Sequence, residues 1–320
     1  MESESFKFLV TVVVLAIPAF FYSWLIRSVD RFEKEPTLWV VFAFLWGALP
    51  AVIAAIIFQV ILGIPVAIFA GRDTLAAEFL GAAVSAPVTE EILKGMAVAI
   101  IYLTRRREFD GWVDGIVYGG VAGFGFAYVE NILYLMNLTD TWAEWLQLLI
   151  LRTVVFGGLH GGWSALVGIG FGLARYRTNP FLKILCISGG LLAAIFGHLV
   201  HNGALTLAEA SGGATILLVF INYGALILFL GLLWFVAGFV ERRNLQIYLQ
   251  DEVPGVISAQ WYDGLCHGRW SGINPALRRQ ITQAAAELAQ KKMQLAKLGE
   301  EDGNTTEINQ LRSHLRGLAP

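Results

Sequence analysis

The 320 residues are 56% hydrophobic and only 15% charged, with a mean hydropathy of +0.62. Soluble chains average about 45–50% apolar residues, so a water-soluble globular domain is excluded and an all-α polytopic membrane protein is expected. The net charge of −2 identifies no partner, and nothing in the composition points to nucleic-acid binding.

The first apolar run, 6–26, follows an acidic start and is too long for a signal-peptide core, so it reads as a retained span. Further runs at 38–64, 76–103, 111–137, 145–174, 181–207 and 214–240 bring the expected count to seven. Pro50 and Pro65 interrupt the second run and make its end the weakest boundary. Alternate loops hold Arg27, Arg31, Lys34, Arg105, Arg106, Arg107, Arg175, Arg177, Lys183, Arg242 and Arg243. The opposite set holds Lys7, Arg72 and Arg152. The positive-inside rule then puts the N-terminus outside and the C-terminus in the cytoplasm. Residues 1–240 form the membrane domain of this reading, with 241–320 a cytoplasmic tail. In the tail, Asn274 and Pro275 open an amphipathic helix, EEDGNT ends it, and TEINQLRSHLRGL forms a second helix folded back on the first. Trp261 and Trp270 are expected at the membrane interface, and His267 and His314 in solvent. Cys186 reads as a packing residue and Cys266 as a free tail thiol, with no disulfide framework implied.

Seven ionisable side chains lie well inside these apolar runs: Glu90, Glu91, Lys94, Glu130, His160, His198 and His201. Each costs roughly 2.5–3.5 kcal/mol to insert, so their number calls for one shared polar interior. Counting from the basic ends at about 1.5 Å per residue puts Glu90, His160 and His198 each about 22 Å from the cytoplasmic charge layer. Glu130 counts to about 30 Å, a turn or two further out. A core about 30 Å thick places this common level in its outer half. Lys94, one turn from Glu90, can neutralise one carboxylate of the Glu90–Glu91 pair, and His198, His201 and Asn202 share a helix face. The glycines of GGVAGFG (119–125) and Gly157, Gly161, Gly168 and Gly172 allow close helix approach.

Carboxylates and imidazoles on one level suit peptide hydrolysis. Glu90 or Glu91 can act as general base, with the alignment of Lys94 favouring Glu90. His160 and His198 can bind a metal with a carboxylate such as Glu130, or polarise water without one, and Asn202 can donate to an oxyanion. Ser164 reads as a small residue facing a helix, His201 as an interhelical hydrogen-bond partner, and Asp114 as structural. No H-E-x-x-H helix is present. A proton-coupled transporter or a non-catalytic membrane scaffold is the alternative reading.

DRFEKEP (30–36), APVTEEILKG (86–95), FDGWVDGIVYGGVAGFGFAYVENILY (109–134), His160 and HLVHN (198–202) occur in that order. In these elements the chain resembles the PrsW family of bacterial intramembrane proteases, distant relatives of the CAAX-prenyl-protease and bacteriocin-processing group. The resemblance implies that Glu90 and Glu91 form a first motif, Glu130 a second, and His160 and His198 a third and fourth. It implies a multi-pass protein of the bacterial cytoplasmic membrane that makes an outside-facing, site-1-type cut in a single-span membrane protein, an anti-sigma factor in the best-known case. The family is called metalloprotease, whereas relatives with the same pattern are described as glutamate-dependent. One divalent ion, zinc foremost, and a metal-free mechanism therefore both stay open. His201 and the tail fall outside the matched pattern.

Overall fold

The computed structural model describes residues 2–30, 34–106, 108–301 and 303–318. Arg31 and Arg107, counted above among the loop bases, and residues 31–33 of DRFEKEP lie outside the described residues. The described residues form an all-helical chain: α1 (Glu2–Arg27), α2 (Thr37–Trp46), α3 (Val52–Ala70), α4 (Leu75–Glu78), α5 (Ala86–Thr104), α6 (Trp112–Asn137), α7 (Trp142–Ile150), α8 (Leu159–Arg175), α9 (Pro180–Thr206), α10 (Ile216–Leu249), α11 (Ala259–His267), α12 (Pro275–Leu298) and α13 (Asn304–Leu318). Among the described residues, six helical runs are long and apolar enough to cross a membrane: Glu4–Arg27, Thr37–Ala70, Trp112–Asn137, Trp142–Arg175, Pro180–Thr206 and Ile216–Glu252. The remaining expected span contains α5, a 19-residue helix that carries Glu90, Glu91 and Lys94 and so falls short of that apolar standard.

Two of these runs and the segment leading into α5 contain a π-helical turn: in chain order Gly47–Ala51, Phe79–Ser85 in the segment before α5, and Leu151–Val155. The first contains Pro50 and the second ends two residues before Pro87. A proline has no N–H for the helix ladder and pushes the preceding carbonyl aside, which favours a wider turn. The third turn contains Arg152.

Helices α6 and α8 are in backbone contact along a seam of small residues. A Cβ at Gly115 would collide with the Gly168 carbonyl, one at Gly119 with the Ser164 carbonyl, and one at Gly123 with the His160 carbonyl. Only a glycine fits at each of those α6 positions, and the seam fixes the position of His160 relative to α6. Large apolar side chains point away from the packed interior, as on α3, where Ile53, Val60, Ile64, Ile68 and Phe69 are all more than half exposed. In water such a surface would be a large liability. In lipid it is the expected outer face.

Contacts divide the chain into two units, one of residues 1–28 and 35–231 and the other of residues 29–34 and 232–320. The second unit has its own core of Leu249, Ile257, Trp261, Leu265, Cys266, Ile281 and Leu288. The two expected tail helices are present as α12 and α13, and Asn274 caps the first by accepting from the Ala276 N–H at 2.8 Å. Trp261 does not project to an interface. It is 6% exposed because it packs within this core, while the Trp270 ring lies against Gly264 and Arg278. Cys266, read above as a free tail thiol, is free and is also a core residue, where burial raises its thiol pKa.

Candidate active site

The site is assembled by α5, α6, α8 and α9. Glu90, Glu91 and Lys94 lie on consecutive turns of α5, and all three are buried. Glu91 is fully enclosed. Its Oε1 accepts from Lys94 Nζ at 2.7 Å and lies 3.0 Å from His198 Nδ1, and its Oε2 accepts from Ser164 Oγ at 3.1 Å. Glu90 is closed on one side only. Its Oε1 accepts from Gln59 Nε2 at 3.1 Å, whereas its buried Oε2 lies 3.3 Å from Lys94 Nζ and accepts no hydrogen bond among the described residues. The closer partner of Lys94 is thus Glu91 at i,i+3, not Glu90 at i,i+4. What sets Glu90 apart is that it lines a cavity of about 360 Å³ with Gln59, Ala82, Ser85, Glu130 and Asn202.

Lys94 also donates to His160 Nδ1 at 3.0 Å, and its ammonium lies 4.2 Å from the centre of the Phe126 ring. A neutral imidazole that accepts at Nδ1 carries its proton on Nε2. His160 Nε2 lies 2.9 Å from Glu130 Oε2, so that proton has a partner. His198 has the reverse arrangement. Its Nδ1–H donates to Glu91, which leaves the Nε2 lone pair free, and its ring stacks on Trp163 at 4.1 Å between centroids.

The three residues placed on one level by counting do meet: ligand atoms of Glu90, His160 and His198 all lie within 4.8 Å of one another. Glu130, counted further out, contacts His160 as well. It lies seven residues beyond Gly123, the residue level with the His160 backbone, or about 10 Å along the helix. Side chains lean toward the N-terminus of their own helix. The seam pairs run in opposite order along α6 and α8, so the two helices are antiparallel, and the side chains of Glu130 and His160 lean toward each other across that gap.

A profile of the PrsW family intramembrane metalloproteases matches residues 35–234. The chain belongs to the PrsW family. It is 31% identical over 183 residues to Protease PrsW of Geobacillus kaustophilus, an alignment that covers 57% of this chain and 74% of that relative. It is 29% identical over 170 residues to Protease PrsW of Clostridioides difficile, covering 53% and 66% of the two chains. No solved structure matches it. The protein is therefore an intramembrane protease and a multi-pass cell-membrane protein.

The structure adds to this PrsW site contacts that the sequence does not make evident. Arg152, assigned above to a loop, lies within the apolar run Trp142–Arg175, where it bonds to Glu130 and Asn131 and stacks over Tyr134 at 3.8 Å. Ser164 faces α6 with its backbone, but its hydroxyl belongs to the Glu91 network. Asn202 lines the cavity and spends one amide hydrogen on the Ala82 carbonyl at 2.9 Å, with a second donor in reserve. His201 packs edge-on against Phe156 and Trp163, and its Nδ1 has no hydrogen-bond partner among the described residues, contrary to its expected interhelical role. Asp114 is structural, as expected. It caps the start of α6 by accepting from the Asp110 and Gly111 N–H groups.

The donor set suits the metal that the PrsW family description implies. Two imidazoles and a carboxylate make a common ligand set for a hydrolytic zinc ion, and the unbonded Glu90 oxygen and the free His198 Nε2 are both available. His160 would have to release either Lys94 at Nδ1 or Glu130 at Nε2 in order to join them.

Proposed function

We propose that this chain is an endopeptidase that cuts a single-span membrane protein near the outer side of the membrane, with Glu90 as general base. An anti-sigma factor is the substrate class that the family resemblance suggests. The observation that carries the assignment is the asymmetry of the carboxylate pair: Glu91 is enclosed and fully bonded, while Glu90 borders the cavity, with Gln59 on one oxygen and only the 3.3 Å contact to Lys94 on the other. In this reading Glu90 removes a proton from water, and the water oxygen attacks the carbonyl carbon of the scissile bond. The second N–H of Asn202 stabilises the oxyanion. Glu90 then passes the proton to the amine nitrogen as the C–N bond breaks. Glu91 and Lys94 hold His198 and His160, and Glu130 fixes the His160 tautomer. A zinc ion held by His160, His198 and either Glu90 or Glu130 would polarise the water and the carbonyl.

The proposed arrangement puts the N-terminus outside, residues 241–320 in the cytoplasm and the site in the outer half of the membrane. This depth suits a cut close to the outer surface.

The test uses a single-span reporter that the unaltered chain cleaves, with release of its outer domain as the readout. Glu90→Gln should reduce release on the order of 10²- to 10⁴-fold without loss of folded protein. Release at the normal rate would overturn the assignment of the base. Zinc analysis of the purified chain with and without His160→Ala tests the ion. One zinc per chain that is lost in the variant supports it, and no zinc together with insensitivity to chelators removes it.

A further inference from the structure

Gln59 is the only polar side chain between Pro50 and Ala70. Its neighbours Ile57, Phe58, Val60 and Ile61 are exposed on the outer face of α3. Gln59 instead continues the inward stripe of Val52 and Ala55, which are both buried, at spacings of three and four residues. A primary amide in a hydrocarbon-facing helix is unfavourable unless its donors and acceptor are used. This one faces the same cavity as Glu90, and its Nε2 donates to Glu90 Oε1 at 3.1 Å. Lys94 Nζ lies 3.3 Å from the other oxygen, Oε2. The carboxylate is thereby held at both ends, by an amide on α3 and an ammonium on α5.

We propose that Gln59 is a positioning residue for Glu90: by donating to Oε1 from α3 it fixes the plane of the carboxylate at the cavity wall. This rests on Glu90 as the general base. It also gives α3, whose other inward side chains are apolar, a direct part in the chemistry. A carboxylate free to rotate about its last torsion would present the wrong oxygen or the wrong angle for part of the time. Losses of this kind run on the order of 10- to 100-fold.

The test uses the full-length chain in lipid nanodiscs with the cleavable reporter, and rates are normalised to folded enzyme. Gln59→Leu should lower kcat on the order of 10- to 100-fold and leave KM within about 2-fold. Gln59→Asn, which keeps the amide on a shorter arm, should recover part of that loss. In a Glu90→Asp background the shortened carboxylate lies beyond reach of the amide, so Gln59→Leu should add less than about 2-fold. An unchanged kcat in Gln59→Leu, or an equal loss in both backgrounds, would overturn the proposal. The two readings fail separately. Normal cleavage by Glu90→Gln removes the base assignment whatever Gln59 does. An inactive Glu90→Gln beside a fully active Gln59→Leu removes only the role of Gln59.

Discussion

The membrane unit and the C-terminal unit each bury acidic side chains among bases, but the two clusters are finished differently. In the C-terminal unit, Glu252 is 4% exposed and accepts from Lys292 Nζ at 2.7 Å and from Arg312 at 2.6–3.1 Å, so both of its oxygens are satisfied. In the membrane unit, Glu91 is satisfied in the same way, and Glu90 beside it is not. A cluster that closes every lone pair fixes structure. One that leaves a buried acceptor unbonded next to a cavity retains an energetic deficit that a water, an ion or a substrate can remove.

The largest effect should come from opening the closed half of the membrane cluster. Glu91→Leu strips buried Lys94 of its nearest counter-charge and leaves the His198 Nδ1–H without an acceptor. It should destabilise the chain by about 3–5 kcal/mol, seen as a lower unfolding temperature and a poor yield of folded protein. A Glu91→Leu protein that folds and cleaves normally would break the contrast between the two glutamates. Arg152→Gln should act more gently. It removes the base that holds Glu130 and should slow cleavage on the order of 10- to 100-fold while the unfolding temperature stays close to normal. Rescue by Arg152→Lys would show that charge is what matters, and an unaltered rate in Arg152→Gln would place the arginine outside the mechanism. The smallest effect is expected from Glu252→Gln. Its partners Lys292 and Arg312 keep 13% and 32% of their side-chain surface in solvent, so the loss should be about 1 kcal/mol, with reporter cleavage unchanged. Loss of cleavage in that variant would show that the second unit does more than fold.

The hydropathy of the chain gave the spans and the two tail helices because length, apolar runs and capping residues act locally. The gathering of Glu90, His160 and His198 was also legible, since an ionisable group in hydrocarbon is conspicuous and a helix converts residue number into depth. The same logic passed over Gln59 and read only the small size of Ser164, not its hydroxyl, because neither side chain carries a charge. It placed Arg152 in a loop because a lone arginine near the end of a span resembles a flanking base. It left open that Glu130, about two turns further out, still reaches His160, because counting along an axis ignores the lean of side chains. Trp261 looked like an interfacial tryptophan because the small core that buries it is built from residues far apart in sequence, among them Leu249, Ile281 and Leu288.

The glycine seam between α6 and α8 also limits how such a protein can diverge. At Gly115, Gly119 and Gly123 the backbones already touch, so no larger residue can be introduced without parting the helices that carry Glu130 and His160. The opposite wall of the cavity is built from side chains of graded size, among them Val52, Ala55, Ile56 and Val66. Mutational drift is therefore channelled to one side of the chamber. That wall can be reshaped to admit different residues at the cut, while the glycine seam resists any change in the spacing of the catalytic side.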